Sequence, residues 1–298
     1  MSTVNRVLDR LRFRATTANQ FNQGIISLDD IMTPEEAREI DAGMAQRGDD
    51  ETNIWSTREA DWRQQFTEWS TCKGFSHAHG FVRVWNRPSA TLYRTTGFSG
   101  RAPTRLVVLF TGGVNRMMVP SWVFLAHLPR FPVYVLAVRS GWTFYREGLP
   151  GLTKDFSATV EWLRNCAREN GLSIHAVMGS SGASLPALRA GHALGARRRV
   201  LFGLPHISDD DLAQYPLVDG DGTASNLEVD GGLGVTLIVG SEESRDIKTL
   251  AEARRRMPRA KAVVVAGAGH NVVAPLARDG KLYRLLRRGL GPWRLPRF

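Results

Sequence analysis

Apolar and polar positions along this chain change period several times, and each change marks an element. From residue 106 onward, short unbroken apolar runs alternate with stretches where apolar residues recur every three or four positions. Residues 106–110, 133–138, 174–178, 200–202, 235–239 and 262–265 are runs of the first kind, the pattern of strands buried on both faces. Helical periodicity lies between them, at 121–128, 154–170, 182–194 and 247–257, with a final helix after Asn271. In the 154–170 segment Phe156, Val160, Leu163 and Ala167 share one face, and Gly171 closes it. Ahead of this region, Phe81-Val-Arg-Val-Trp85 and Thr91-Leu-Tyr-Arg-Thr95 flank the turn residues Asn86, Pro88 and Ser89, a hairpin signature. Two helices open the chain. Thr33-Pro-Glu-Glu36 reads as a capping box with Pro at the first helical position, and Ser56-Thr-Arg-Glu59 as a second box. The helix after the second box carries Trp62, Phe66 and Trp69 at helical spacing. That stripe is expected to pack on the main domain, with a substrate entrance as the weaker reading.

Strands separated by helices pair in parallel through right-handed crossovers, so the expected fold class is α/β. The hairpin adds antiparallel strands, giving a mostly parallel sheet of about eight strands with helices on both faces. The expected division is an N-terminal helical extension over 1–79, packed on a main domain over 80–298. In such sheets ligands collect at the carboxyl ends of the strands, so residues just after each strand are the ones to inspect.

The run 174–178 leads directly into Gly179-Ser-Ser-Gly-Ala-Ser184 and then Leu185-Pro-Ala-Leu188. A nucleophile elbow needs a strand, a very tight turn and a helix, with small residues two places either side of the nucleophile. Of the three serines only Ser181 qualifies, with Gly179 and Ala183 at those positions. Ser180 has Met178 there and Ser184 has Pro186, both too bulky. A dinucleotide-binding turn would need Gly-x-Gly-x-x-Gly after an early strand, and both spacing and location fail.

On these residues, from about 81 to 290, the chain resembles the α/β-hydrolase superfamily. The motifs that carry the likeness are Phe110-Thr-Gly-Gly113, Gly179-Ser-Ser-Gly-Ala183 and Ala268-Gly-His270, in the family's order. Two departures stand out: Ala183 replaces the commoner glycine, and Pro186 falls about a turn into the nucleophile helix, where it would remove a hydrogen bond. The resemblance implies Ser181 as nucleophile and His270, in the loop after the last strand, as general base. It implies a carboxylate a few residues past the strand 235–239. Glu243 fits that offset best. Asp246 is the rival, although it also suits a helix N-cap before Ile247, and Asp209 and Asp210 are a third option. By the same resemblance the oxyanion hole would be the amides of Gly182 and Gly113, with Val114 next to Gly113 in order. Trp142 and His206, just after the fourth and sixth strands, are the expected substrate contacts. The loop Arg139-Ser-Gly-Trp-Thr-Phe-Tyr-Arg146 offers aromatics and two cations for an acidic or sugar-bearing ester, and packing is an equal reading. His77 and His79 precede the hairpin, and His175 and His192 lie inside a strand and a helix, so all four are poorer candidates for the base.

Composition narrows the picture further. The formal net charge of +10 over 298 residues would suit an anionic substrate, a nucleic acid or a membrane surface. Much of it sits in Arg197–Arg199, Arg254–Arg256 and Arg284, Arg287 and Arg288, near helix ends or on a helix, where a solvated surface accounts for it. No specific nucleic-acid partner is expected. Apolar runs are too short for a transmembrane segment. The N-terminus lacks the apolar stretch of a secretory signal, and the two cysteines, Cys72 and Cys166, are isolated, so a cytoplasmic protein is expected. No metal or cofactor is expected: Asp219-Gly-Asp-Gly-Thr223 misses the Gly and Glu of an EF-hand loop, and His77-Ala-His79 stands alone. The expected function is cleavage of a small ester or thioester by acyl transfer. An acyltransferase with the same residues and a non-catalytic basic scaffold for an anionic polymer are the alternatives. The oligomeric state is open.

Overall fold

A computed structural model describes residues 10–11, 13–46, 55–73, 75, 80–98, 104–129, 131–205, 215 and 232–291. Three helices come first: α1 (Ala18–Asp29), α2 (Pro34–Gln46) and α3 (Ser56–Ser70). The hairpin strands β1 (Phe81–Arg87) and β2 (Ala90–Thr95) follow, then β3 (Arg105–Phe110), α4 (Ser121–Ala126) and β4 (Tyr134–Val138). Next are α5 (Phe156–Glu169), β5 (Ser173–Ser180), α6 (Ser184–Ala193) and β6 (Arg198–Phe202). The chain closes with β7 (Val235–Gly240), α7 (Ser244–Arg256), β8 (Lys261–Val265), α8 (Val273–Arg278) and α9 (Leu282–Leu290).

The strands form one eight-stranded sheet in the order β1-β2-β4-β3-β5-β6-β7-β8. β2 pairs antiparallel with both β1 and β4, and every pairing from β4 across to β8 is parallel. Alternate strand residues feed two cores, as the period of two requires. Val107, Leu109, Met178, Val200 and Phe202 face α1 to α4, α8 and α9. Leu106, Val108, Phe110, Val177 and Leu201 face α5, α6 and α7. The sheet is thus α/β, mostly parallel and covered on both faces.

Trp62, Phe66 and Trp69 are buried in the first of these cores. The Trp62 ring lies 6.3 Å and the Phe66 ring 5.4 Å from Trp122 of α4. The aromatic stripe therefore packs; it lines no entrance. The first capping box forms reciprocally, Thr33 N–H donating to Glu36 (2.9 Å) and Glu36 N–H to the Thr33 hydroxyl (3.2 Å). The second does not. Trp55 stacks on Phe21 with centroids 5.0 Å apart and itself becomes the N-cap, so Ser56 is already helical.

Two further expectations change. The helix after Asn271 is split into α8 and α9, because Gly280 adopts φ 65°, a left-handed turn that ends α8. Pro186 removes no helical hydrogen bond. Residues Ser181–Ala183 form a 3-10 turn and α6 starts only at Ser184, so Pro186 sits in the first turn, where an N–H has no helical acceptor.

Candidate active site

The elbow is built by crowding. A Cβ on Gly179 would stand 2.5 Å from the Ala187 Cβ and 2.6 Å from the Ala183 carbonyl oxygen, so only glycine lets β5 meet α6 here. The chain reverses at Ser181, held at φ 53°, a region that non-glycine residues seldom occupy. That backbone lifts the Ser181 hydroxyl off the sheet edge. The neighbouring serines are otherwise engaged. Ser180 accepts from the Gly112 N–H (3.1 Å) and donates to the Arg116 carbonyl (3.1 Å). Ser184 donates to the Phe202 and Gly203 carbonyls at 3.3 and 3.2 Å.

His270 comes over the end of β7 from the loop after β8. The crossing is tight: a Cβ on Gly240 would fall 2.1 Å from the carbonyl oxygens of Ala268 and Gly269. Ser241 N–H donates to Val265 O (3.0 Å) and Glu242 N–H to Ala268 O (3.0 Å), which fastens this loop to the end of β7. The imidazole Nε2 then lies 2.8 Å from the Ser181 Oγ. Its Nδ1 lies 3.0 Å from both carboxylate oxygens of Asp246. The imidazole side chain is 40% exposed, whereas Asp246 is 3% exposed. Burial raises the Asp246 carboxyl above its ordinary value; the imidazole opposes this, and the Glu243 charge adds to it.

Of the two preferred carboxylates, the structure brings Asp246 to the imidazole and leaves Glu243 aside. Glu243 is the N-cap of α7, and its side chain accepts from the Arg245 N–H at 3.3 Å. Asp246 stands one turn further, on the side of α7 that faces the sheet. The two residues exchange the positions first expected of them, because α7 begins three residues earlier than its apolar periodicity suggested.

The loop after β3 lies beside Ser181: a Cβ on Gly112 would fall 3.5 Å from the Ser181 Cβ. Gly112 donates its N–H to the Arg116 carbonyl at 3.0 Å, and Asn115 donates to Gly112 O at 2.9 Å, closing a compact turn. Gly113 lies within this turn, and among the described residues its amide makes no hydrogen bond. Val114 is 63% exposed at the tip. Asn271, next to the imidazole, donates from Nδ2 to the Met118 carbonyl (2.9 Å) and so ties this loop to that of His270. On the other side of Ser181, a Cβ on Gly182 would fall 2.2 Å from the Phe144 ring, so the ring covers the place where a side chain would stand. Sequence reasoning passed over Arg116, and took Phe144 only as one of the aromatics of the loop 139–146, not as a neighbour of Gly182. Phe144 at φ 47° and Tyr145 at φ 73° are consecutive left-handed residues, which no local pattern announces.

The loop 139–146 is packing for the most part. Arg139 is buried and turns to the hairpin, bonding Thr91 Oγ1 (2.8 Å) and the Arg87 carbonyl (3.0 Å). The Tyr145 hydroxyl donates to the Val138 and Thr111 carbonyls at 2.6 and 3.1 Å. Arg146 is exposed. His175 is bonded through Nε2 to Leu290 O at 3.0 Å, and His127, buried, through Nδ1 to Val123 O at 2.8 Å. The side chain of Trp142 and residues His77, His79, His206, Asp209, Asp210 and 219–223 lie outside the described residues. A cleft of about 670 Å³ opens on the carboxylate side of the imidazole, between Leu204, Pro205, Glu243, Arg245, Lys248 and His270. Among the described residues no group of three or more His, Cys, Asp or Glu could hold a metal ion, and no helix is long and apolar enough to cross a membrane.

The sheet, its crossovers and a tight strand–turn–helix after β5 define the α/β-hydrolase fold. No family model matches the chain, and a comparison with curated proteins found no match. Solved structures that it resembles include a predicted CIB-like hydrolase of Thermoplasma acidophilum, 15% identical over 72% of this chain and 96% of that one (TM-score 0.43). An esterase of Pyrobaculum calidifontis is 15% identical over 80% of this chain and 92% of its own, with a TM-score of 0.45. A bacterial heroin esterase is 15% identical over 82% and 93% of the two chains, also with a TM-score of 0.45.

Proposed function

We propose that this protein is a serine hydrolase that cleaves a carboxylic ester or thioester through an acyl-enzyme on Ser181. The observation that carries the reading is the continuous hydrogen-bonded chain from Ser181 Oγ to His270 Nε2 at 2.8 Å and from Nδ1 to Asp246 at 3.0 Å. A serine hydroxyl is a weak nucleophile and needs a base within hydrogen-bond reach. With its proton on Nδ1 donated to Asp246, the imidazole turns the Nε2 lone pair toward the hydroxyl. Ser181 Oγ attacks the carbonyl carbon while Nε2 takes the hydroxyl proton. The oxyanion accepts hydrogen bonds from the amides of Gly182 and Gly113. Collapse breaks the bond to the alcohol or thiol, which leaves with the proton from Nε2. Water then attacks the acyl-enzyme by the same route, and the acid departs.

Support for Gly113 as donor comes from its neighbour. The Gly112 amide is already engaged by Arg116 O and Ser180 Oγ, whereas Gly113 follows it in the same turn. Phe144 against Gly182 would limit the space on the acyl side. An acyltransferase would share the first half-reaction and differ only in using an alcohol acceptor. A fluorophosphonate probe tests the reading: Ser181 should form a phosphonyl ester with loss of fluoride, and Ser181→Ala should abolish both labelling and hydrolysis of p-nitrophenyl esters. Unlabelled Ser181 in folded protein would point instead to a scaffold. Acyl transfer to added alcohols outpacing hydrolysis would select the transferase.

A further inference from the structure

The turn that carries Gly113 is tied to the N-terminal helices through one residue. The main-chain carbonyl of Arg116 accepts the Gly112 N–H at 3.0 Å and the Ser180 hydroxyl at 3.1 Å, so it joins the turn to the residue before the nucleophile. Its side chain runs the other way. Nε donates to Asp30 at 2.5 Å, and a terminal nitrogen donates to the Ile26 carbonyl at 3.1 Å and lies 3.6 Å from Asp29. Asp29 is itself held by two indoles, Trp62 of α3 and Trp122 of α4, each donating to the same carboxylate oxygen at 3.0 Å. The Ser121 hydroxyl donates to the Asp30 carbonyl at 2.8 Å, so the loop is fastened to the end of α1 a second time. These side chains are largely shielded, at 20%, 6% and 12% exposure for Arg116, Asp29 and Asp30. An ion pair so enclosed, with its guanidinium and one carboxylate held by further hydrogen bonds, keeps one geometry.

Asn115 at φ 58° occupies a region that asparagine tolerates, and two main-chain hydrogen bonds close the turn. Those bonds set its internal shape, while its attachment to the rest of the molecule runs through Ser180 on one side and the Arg116 side chain on the other. We propose that Asp29 and Asp30, at the end of α1, act through Arg116 to hold the 112–116 turn in the position that aims the Gly113 amide at the oxyanion on Ser181. The N-terminal extension is then a positioning part of the site, and Arg116, Asp29 and Asp30 are positioning residues that never touch substrate. This rests on the serine-hydrolase reading. Its physical basis is that oxyanion donors act only when preorganised, and a displacement of about 1 Å costs on the order of a hundredfold in rate.

The test uses full-length protein and p-nitrophenyl butyrate, with the unfolding midpoint measured for every variant. Arg116→Ala and Asp30→Asn should lower kcat by about 10- to 100-fold with KM within about threefold, because a donor serving only the oxyanion is missing from the ground state. Arg116→Lys, which keeps one donor and the charge, should recover part of the loss. Ile40→Ala is the control: buried in α2 and supplying no hydrogen bond or charge to this network, it should lower the unfolding midpoint and leave kcat unchanged. Asp30→Asn, nearly isosteric, decides the matter alone if Arg116→Ala does not fold. Wild-type kcat in Asp30→Asn and Arg116→Lys overturns the clamp, as does an Ile40→Ala loss of kcat equal to theirs. In both cases fluorophosphonate labelling of wild-type Ser181 leaves the hydrolase reading standing. Absence of labelling and hydrolysis in the wild type removes that reading and the clamp with it.

Discussion

At the scale of single residues, the two acids near His270 should separate cleanly. Asp246→Asn keeps the shape but loses the carboxylate charge and exchanges one acceptor oxygen for a donor NH2, so the proton is no longer secured on Nδ1 and kcat for p-nitrophenyl esters should fall by about 10²- to 10⁴-fold. Glu243→Gln, which alters a helix cap, should cost about 1 kcal/mol of stability or less and leave kcat within a few-fold. Steady-state kinetics on the two variants checks this, and equal losses would contradict the geometry. Asp30 allows a second prediction. Burial pushes its carboxyl up to about 6 from an ordinary 3.8; the neighbouring Asp29 charge adds to the rise, while Arg116 and Arg139 oppose it. An acid raised in the folded state binds its proton more tightly there than in the unfolded chain. Its contribution to stability is therefore complete below pH 3.8 and is lost as pH rises through about 6. Denaturant midpoints of wild type and Asp30→Asn should accordingly shift against the wild type between pH 4 and pH 7. A gap independent of pH would refute this titration.

At the scale of elements, the elbow explains how an apparent helix breaker is accommodated. Pro186 would cost about 3 kcal/mol in a helix interior. In the first turn of α6 it has no helical bond to lose, so Pro186→Ala should change stability by less than about 1 kcal/mol, measured by urea unfolding. A large change in either direction would mean that the helix starts elsewhere. This region also shows what local pattern can convey. The strand, the small residues around Ser181 and the helix after it are all legible, because tight packing at a turn leaves a compositional trace at Gly179 and Ala183. The 3-10 turn that delays α6 leaves none. Nor does the start of α7. Asp and Glu are both good near a helix N-terminus, so sequence alone could not tell which of Glu243 and Asp246 caps and which faces the imidazole. The second capping box failed for a related reason: stacking of Trp55 on Phe21, residues far apart in the chain, outweighed a local signal.

At the scale of the whole molecule, the N-terminal helices and the sheet share one core. Phe21, Ile40 and Trp62 belong to the same buried cluster as Trp122, Val107 and Val135. Such a continuous apolar contact should unfold cooperatively. Far-UV circular dichroism and tryptophan fluorescence, to which the extension contributes Trp55, Trp62 and Trp69 of the chain's eight tryptophans, should give coincident urea transitions. An earlier fluorescence transition would mean that the extension comes away first. The high positive charge has less bearing on the fold. Arg139 and Arg116, which are enclosed, serve the hairpin and the site loop, while Arg284, Arg287 and Arg288 are exposed on α9.

What the sequence determined by itself was the period of each segment, and with it the α/β class, the hairpin, the elbow at Ser181 and the position of His270 after the last strand. These follow from local sterics and from which faces must be buried, and both are written in neighbouring residues. Only the tertiary structure decided that Asp246 meets His270, that Phe144 covers Gly182, and that Arg116 links the site to α1. Those contacts join residues 24 to 90 positions apart, and their energy arises from charges and rings enclosed together, which no single segment of chain specifies.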